Sequence, residues 1–165
     1  MQKFSNLIVL SPLVYLVHHF EEHIIFNFKE WRLRYFLDNN PLTSEEMLIR
    51  LAAFLLIIIF VHQIKQNRAS ALLVLYFVMT TQVVNAIFHV FFSFYFADFS
   101  PGAITGVWLY LPVNYLICKA AMNEGYIKNN IEILILFVLG ATTFALFEVF
   151  GPAVTAVSIF LYPVF

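Results

Sequence analysis

His18-His19-Phe20-Glu21-Glu22-His23 closes an apolar run that begins at Leu7. Leu7-Ile8-Val9-Leu10 and Leu13-Val14-Tyr15-Leu16-Val17 read as a membrane-spanning helix. Such a helix does not ordinarily end in two carboxylates and three imidazoles, because a lone charge in lipid costs ~2.5–3.5 kcal/mol on insertion scales. These groups must be neutralised, paired or bound to a metal.

The surrounding composition agrees with a membrane setting. Hydrophobic residues make up 62% of the 165-residue chain and charged residues 12%, against roughly 25% charged in soluble domains. The apolar runs are continuous rather than alternating, which argues against a β-barrel. A net charge of −1 leaves no basic footprint for nucleic acid. Cys118 has no partner for an intramolecular disulfide and reads as a small buried hydrophobe. Met1-Gln2-Lys3 is too thin a basic region, with no cleavage-like site after it, to read as a removable signal.

The expected fold is an all-α polytopic membrane helix bundle, a single domain over residues 1–165. It has about five transmembrane helices plus a short interfacial segment after helix 1. Helix 1 runs from Phe4 to Ile25. Between Asn27 and Ser44 charges alternate with Trp31, Leu33, Tyr35, Phe36 and Leu37, the pattern of an interfacial piece that ends in an Asn39-Asn40-Pro41 turn. Thr43-Ser44-Glu45-Glu46 caps helix 2, which reaches Ile64. Helix 3 covers Ala69 to Ala97, and helix 4 covers Ala103 to Met122 with Pro101 at its first position. Helix 5 starts near Ile131, is interrupted at Gly151-Pro152 and continues to Tyr162. Pro152 is expected to kink it beside Glu148. Lys3, Lys65, Arg68, Lys119 and Lys128 against Lys29, Arg32, Arg34 and Arg50 favour a cytoplasmic N-terminus. The chain is thus expected to be an integral, multi-pass membrane protein whose first partner is the lipid bilayer.

Alternating helix direction brings His18–His23, His89, Glu148 and the Ser100-Pro101-Gly102 turn to one end of the bundle. At ~100° per residue, His18, Glu21 and Glu22 share a face, while His19 and His23 pair with each other elsewhere. Gln82, Asn85, His89 and Ser93 form a polar stripe on helix 3. His62 lies at the other end and reads as structural.

Three uses of these groups stand side by side. A purely structural network of Glu–His and Asn–His bonds adds only ~0.6–1 kcal/mol per bond in membranes. In a metal site, His18 and Glu22 at i,i+4 would chelate a divalent ion such as zinc, His89 would add a third ligand, and Glu21 would act as general base. In a metal-free site, a desolvated Glu would exchange a proton with a nearby His. Gln82, Asn85 and Glu148 are expected to bind or orient substrate. HExxH is absent, and His19-x-x-x-His23 resembles one box of the membrane di-iron desaturases, which need more histidines than the five present. Gly140-Ala141 offers a small-residue contact, too slight to define a dimer.

His18-x-x-Glu21-Glu22 in a first membrane helix, Asn85-x-x-x-His89 on a later one and the Pro101-Gly102 turn together resemble the HXXEE domain family, over essentially the whole chain. The resemblance implies a small, multi-spanning protein of a bacterial inner or plasma membrane, of uncharacterised function. It also implies an active-site-like constellation at His18, Glu21, Glu22, Asn85 and His89. It supplies no reaction and does not extend to His19 or His23.

The function expected is a membrane-embedded enzyme acting on an apolar, lipid- or isoprenoid-like substrate by acid–base or metal-assisted chemistry. His18, Glu21, Glu22 and His89 would be its catalytic groups. A transport, proton-relay or small-ligand-binding protein is the alternative, and a structural subunit with a polar packing network is the third reading.

Overall fold

The computed structural model describes the backbone of residues 3–36 and 43–161, and side chains as far as Glu148. Every regular element in that range is helical. The first helix, α1, occupies residues 4–25: a turn at Ile8-Val9 follows its opening turn, and its end, Glu21–Ile25, is wound as a π-helix. Then come α2 (Phe28–Tyr35), α3 (Ser44–Lys65) and α4 (Arg68–Tyr95). Residues 103–123 form α5, and α6 is Asn130–Leu161.

Local chemistry sets these ends. The Thr43 hydroxyl accepts from the Glu46 amide at 3.2 Å and the Glu46 carboxylate from the Thr43 amide at 2.9 Å, the expected capping box. Gly102, with φ +98°, is the N-cap of α5, so Pro101 stands outside that helix rather than at its first position. Pro112, inside α5, comes two residues after a π-turn at Gly106–Tyr110; such a bulge makes room where proline removes a ladder bond. The α6 backbone runs through Gly151-Pro152 without interruption, contrary to the expected break. The turn at Asn39-Asn40-Pro41 and the helix end at Tyr162 lie outside the described residues.

Among the described residues, three helices are long and apolar enough to cross a membrane: α3, α4 and the Asn130–Glu148 part of α6. About five were expected. Helix α1 is shortened by its turn and carries the polar cluster, and α5 carries Asn114 and Lys119. Of the three apolar spans α4 is the most enclosed, 44% of it buried. In α3 and α6 only 22% and 11% of the apolar span is buried, leaving rows such as Leu56, Ile57, Phe60 and Ile64, and Ile131, Leu134, Ile135 and Val138, on the outside.

The main core lies at the end of the bundle away from the polar hexapeptide. Phe4, Leu7 and Ile8 of α1 meet Leu55 and Ile58 of α3, Val74 and Leu75 of α4, and Ile117 and Ala121 of α5. His62 sits there as expected of a structural histidine, with Nδ1 2.9 Å from Ser70 Oγ and its ring edge-on to Phe4. Close backbone approaches and polar bonds join these helices. Gly106 packs on the backbone of Ala86, and Gly140 on that of Thr80, so the small-residue contact of α6 is made within the chain. A second cluster, Val14, Tyr15, Ala86 and Tyr110, separates this core from the site.

Helix α2 folds back over the site. Trp31 is buried, and Tyr35 stacks on Phe96 with ring centroids 4.0 Å apart. The Tyr35 hydroxyl donates to Asp98 at 2.8 Å, which pushes its pKa up from the ordinary tyrosine value. Phe92 and Phe96 pack against Phe36, while Phe91, Phe94 and Tyr95 face outward.

Candidate functional site

Glu22 is the hub. Its Oε1 lies 2.8 Å from His89 Nε2 and 3.3 Å from His18 Nε2. Its Oε2 lies 3.7 Å from His23 Nε2. His18 and Glu22, one turn apart on α1, are thus completed by His89 from α4, and all three are buried. Short as the contacts are, neither His18 Nε2 nor His89 Nε2 makes a hydrogen bond of ordinary directionality; both are buried without a hydrogen-bond partner. One ligand atom from each of the three residues lies within 4.8 Å of the others, a spacing compatible with a shared metal ion.

The far side of each ring is fixed by a hydroxyl. His18 Nδ1 is 2.7 Å from Thr105 Oγ1, and His89 Nδ1 is 2.9 Å from Ser100 Oγ. Ser100 is itself held: its amide donates to Ser93 Oγ at 2.9 Å, and Ser93 donates to the His89 carbonyl at 2.7 Å. The Tyr110 ring lies 4.2 Å from that of His18. Outer partners of this kind orient metal-ligating histidines and select the free nitrogen.

Glu21 takes a different place from the general base expected of it. Its Oε1 accepts from the amides of Gly102 at 3.0 Å and Ile104 at 3.2 Å, and its Oε2 from that of Thr105 at 2.7 Å. These are the unpaired donors at the start of α5, where a carboxylate also meets the positive end of the helix dipole. Glu21 therefore bolts α5 onto α1. Gly102 comes so close in consequence that a Cβ there would lie 2.9 Å from His18 Cε1, 3.0 Å from Glu22 Cγ and 3.0 Å from His89 Nε2. Its left-handed backbone forms one wall of the ligand set.

His19 and His23 were expected to point away from the site; they do not. His23 Nε2 faces Glu22 Oε2, His23 Nδ1 lies 3.1 Å from Ser44 Oγ, and the two imidazole centroids are 4.3 Å apart. The π-turn over Glu21–Ile25 winds more residues into each turn than an α-helix does, so His23 lags back toward the His18 face.

Gln82 stands apart from the substrate position expected of it. Fully buried, it donates to the Ser11 carbonyl at 3.0 Å and accepts from Asn114 Nδ2 at 2.8 Å, tying α4 to α1 and α5. Asn85, three residues on, lines a cavity of about 290 Å³ together with His18, His19, Glu22, His23 and Tyr110. Its Oδ1 and the Tyr110 hydroxyl are buried without hydrogen-bond partners. Phe88, Phe144 and Phe147 make the cavity largely apolar, and Lys29, Arg32 and Glu148 line it as well. Arg32 pairs with Glu148 at 2.8 Å, linking α2 to α6.

A family described as a protein of unknown function with HXXEE motif matches residues 9–117. The chain belongs to the HXXEE family. No curated protein and no solved structure matches it. Among the described residues the matched stretch holds both groups of ligand candidates, and α6, outside it, contributes Phe144, Phe147 and Glu148 to the cavity wall. Within the HXXEE motif the first letter and the last, His18 and Glu22, converge with His89, and the middle glutamate caps α5. Thr105, Ser100, Gly102 and Tyr110 were not singled out as site residues from the sequence. Only the Pro-Gly turn gave a signal of them.

Proposed function

We propose that this HXXEE protein is a multi-pass membrane enzyme that uses a divalent metal, held by His18, Glu22 and His89, on an amphiphilic, lipid-like substrate. The observation that carries the reading is the pair of buried Nε2 atoms converging with Glu22 Oε1, each ring clamped from behind by a hydroxyl. Two neutral imidazoles and one carboxylate are a common donor set for catalytic zinc and leave a position free for water. A dication there offsets the buried charge of Glu22, whose close partners are imidazoles rather than Lys or Arg.

A bound ion would lower the pKa of a water ligand and polarise a substrate oxygen. The residues of the chain do the rest. Tyr110 and Asn85 offer a hydroxyl and an amide to the polar part of a substrate, and Phe88, Phe144 and Phe147 receive its apolar part. The Arg32–Glu148 pair bridges α2 and α6 at the cavity wall, where parting it would widen access. Helices α1 and α5 cross the bilayer beside the apolar α3, α4 and α6.

The test is turnover of lipid. Purified chain in detergent is incubated with a total bacterial lipid extract, with and without a chelator, and followed by mass spectrometry. A chelator-sensitive change in one lipid class, lost in Glu22→Gln, supports the reading. No such change in any class overturns the enzymatic part of it.

A further inference from the structure

Glu22 has two carboxylate oxygens, and each faces imidazole nitrogen. On the Oε1 side stand His18 and His89; on the Oε2 side stands His23, with His19 beside it. The candidate ligand atoms of His19, Glu22 and His23 lie within 4.8 Å of one another, as do those of His18, Glu22 and His89. We propose that Glu22 bridges two cations, one held by His18 and His89 and the other by His19 and His23, making the site a dinuclear centre. This rests on the metal reading above and extends it.

Three details carry the second site. His23 repeats the construction of His18 and His89, with Nδ1 beside a hydroxyl, here Ser44 Oγ at 3.1 Å, and Nε2 turned to Glu22. Three histidines from two helices thus share one design around one carboxylate, each with its own Ser or Thr, which packing alone does not call for. The π-turn at Glu21–Ile25 is what brings His23 round to Oε2, and such bulges gather at functional sites. Finally, a carboxylate bridging through both oxygens suits the ~3.5–4 Å spacing of two-metal sites.

The two positions differ in access. The His18–His89 position is backed by Gly102 and both its histidines are almost fully enclosed, whereas His23 is only partly buried and lines the cavity with His19. The second cation is therefore the weaker and more readily exchanged one. Charge supports the same order: with one bridging carboxylate, the second dication meets the field of the first and relies on hydroxide or substrate oxygen for balance. A substrate with an anionic or strongly polar head would enter at that face and bridge the pair.

Full-length chain, purified in detergent and stripped with a chelator, is titrated with cobalt(II) and followed by visible absorption, with ions per chain counted by mass spectrometry after desalting. The expected result is two steps in the wild type, with His23→Ala and His19→Gln each losing the weaker step and keeping the tighter one. The second equivalent should also broaden or quench the electron paramagnetic resonance signal of the first. One ion per chain, unchanged in His23→Ala, overturns the dinuclear centre and leaves the single-metal reading standing. No retained ion in the wild type overturns both. Two ions that survive His23→Ala and His19→Gln overturn the assignment of the second site. The wild-type titration and the resonance measurement decide between one and two ions even where a variant does not fold.

Discussion

His89 Nε2 lies 2.8 Å from Glu22 Oε1, yet that buried nitrogen makes no directed hydrogen bond. A buried carboxylate facing imidazole in this way is a costly arrangement unless something completes it. Glu22→Gln keeps the shape and removes the charge. Its apoprotein should melt at the same temperature as the wild type or slightly higher. The zinc-dependent rise, about 2.7 kcal/mol at a hundredfold excess over the dissociation constant, should vanish. Thermal melts with and without zinc measure both.

Glu21 should behave in the opposite way. Removing its carboxylate orphans the amides of Gly102, Ile104 and Thr105. Glu21→Ala is expected to cost about 3 kcal/mol or more of stability, since each unmade buried bond costs about 1–3 kcal/mol. Glu21→Gln, which keeps acceptor capacity on one oxygen, should lose less. In chain that remains folded, metal stoichiometry should be unchanged. Denaturant or thermal melts paired with metal analysis separate this anchoring role from a ligand role.

Ser100→Ala and Thr105→Val remove the hydroxyls behind His89 and His18 without touching Glu22. Each should weaken zinc binding about 10–100-fold, the range for loss of an outer partner, with the helical circular dichroism spectrum preserved. Competition with a chromophoric chelator reads the affinity. Equal affinity in both variants would show that the hydroxyls serve packing only.

What the sequence made readable divides along the helix period. His18 and Glu22 at i,i+4, and His89 at the matching depth of a later helix, follow from regular α-geometry, and the structure does bring them together. The capping box at Thr43 is a local pattern and was equally legible. His19 and His23 were misplaced because nothing in Glu21-Glu22-His23-Ile24-Ile25 announces a π-turn. The place of Glu21 escaped for another reason. Its partners are backbone amides of a helix far along the chain, and amides carry no residue type to recognise. Gln82 shared the stripe of His89, but it sits within the π-turn at Met79–Val84, just before Asn85, and is turned toward Ser11 and Asn114. Helix α1 read as a full span because nothing in its apolar run announces the turn at Ile8-Val9 that shortens it.

Gly102→Ala tests the closeness of α5 to the ligand set. The new methyl would meet His18, Glu22 and His89 within 3.0 Å, on a backbone at φ +98°. Strain of ~1–2 kcal/mol from the left-handed backbone adds to ~1–3 kcal/mol from overpacking. The variant should lose about 2–5 kcal/mol of stability and bind zinc far more weakly than Ser100→Ala. Ala substitution of Gly125, whose Cβ would meet nothing within 4 Å despite its positive φ, is the control and should leave zinc binding intact.

The central claim is that His18, Glu22 and His89 hold a metal ion, and X-ray absorption at the zinc edge of the purified, zinc-loaded chain tests it most directly. The spectrum should show a first shell of nitrogen and oxygen at about 2.0–2.1 Å with imidazole scattering behind it, and no sulfur shell at about 2.3 Å. His89→Ala should reduce the imidazole signal, and Glu22→Gln should release the ion. Zinc held in an unchanged environment by both variants, or not held by the wild type at all, would contradict the account.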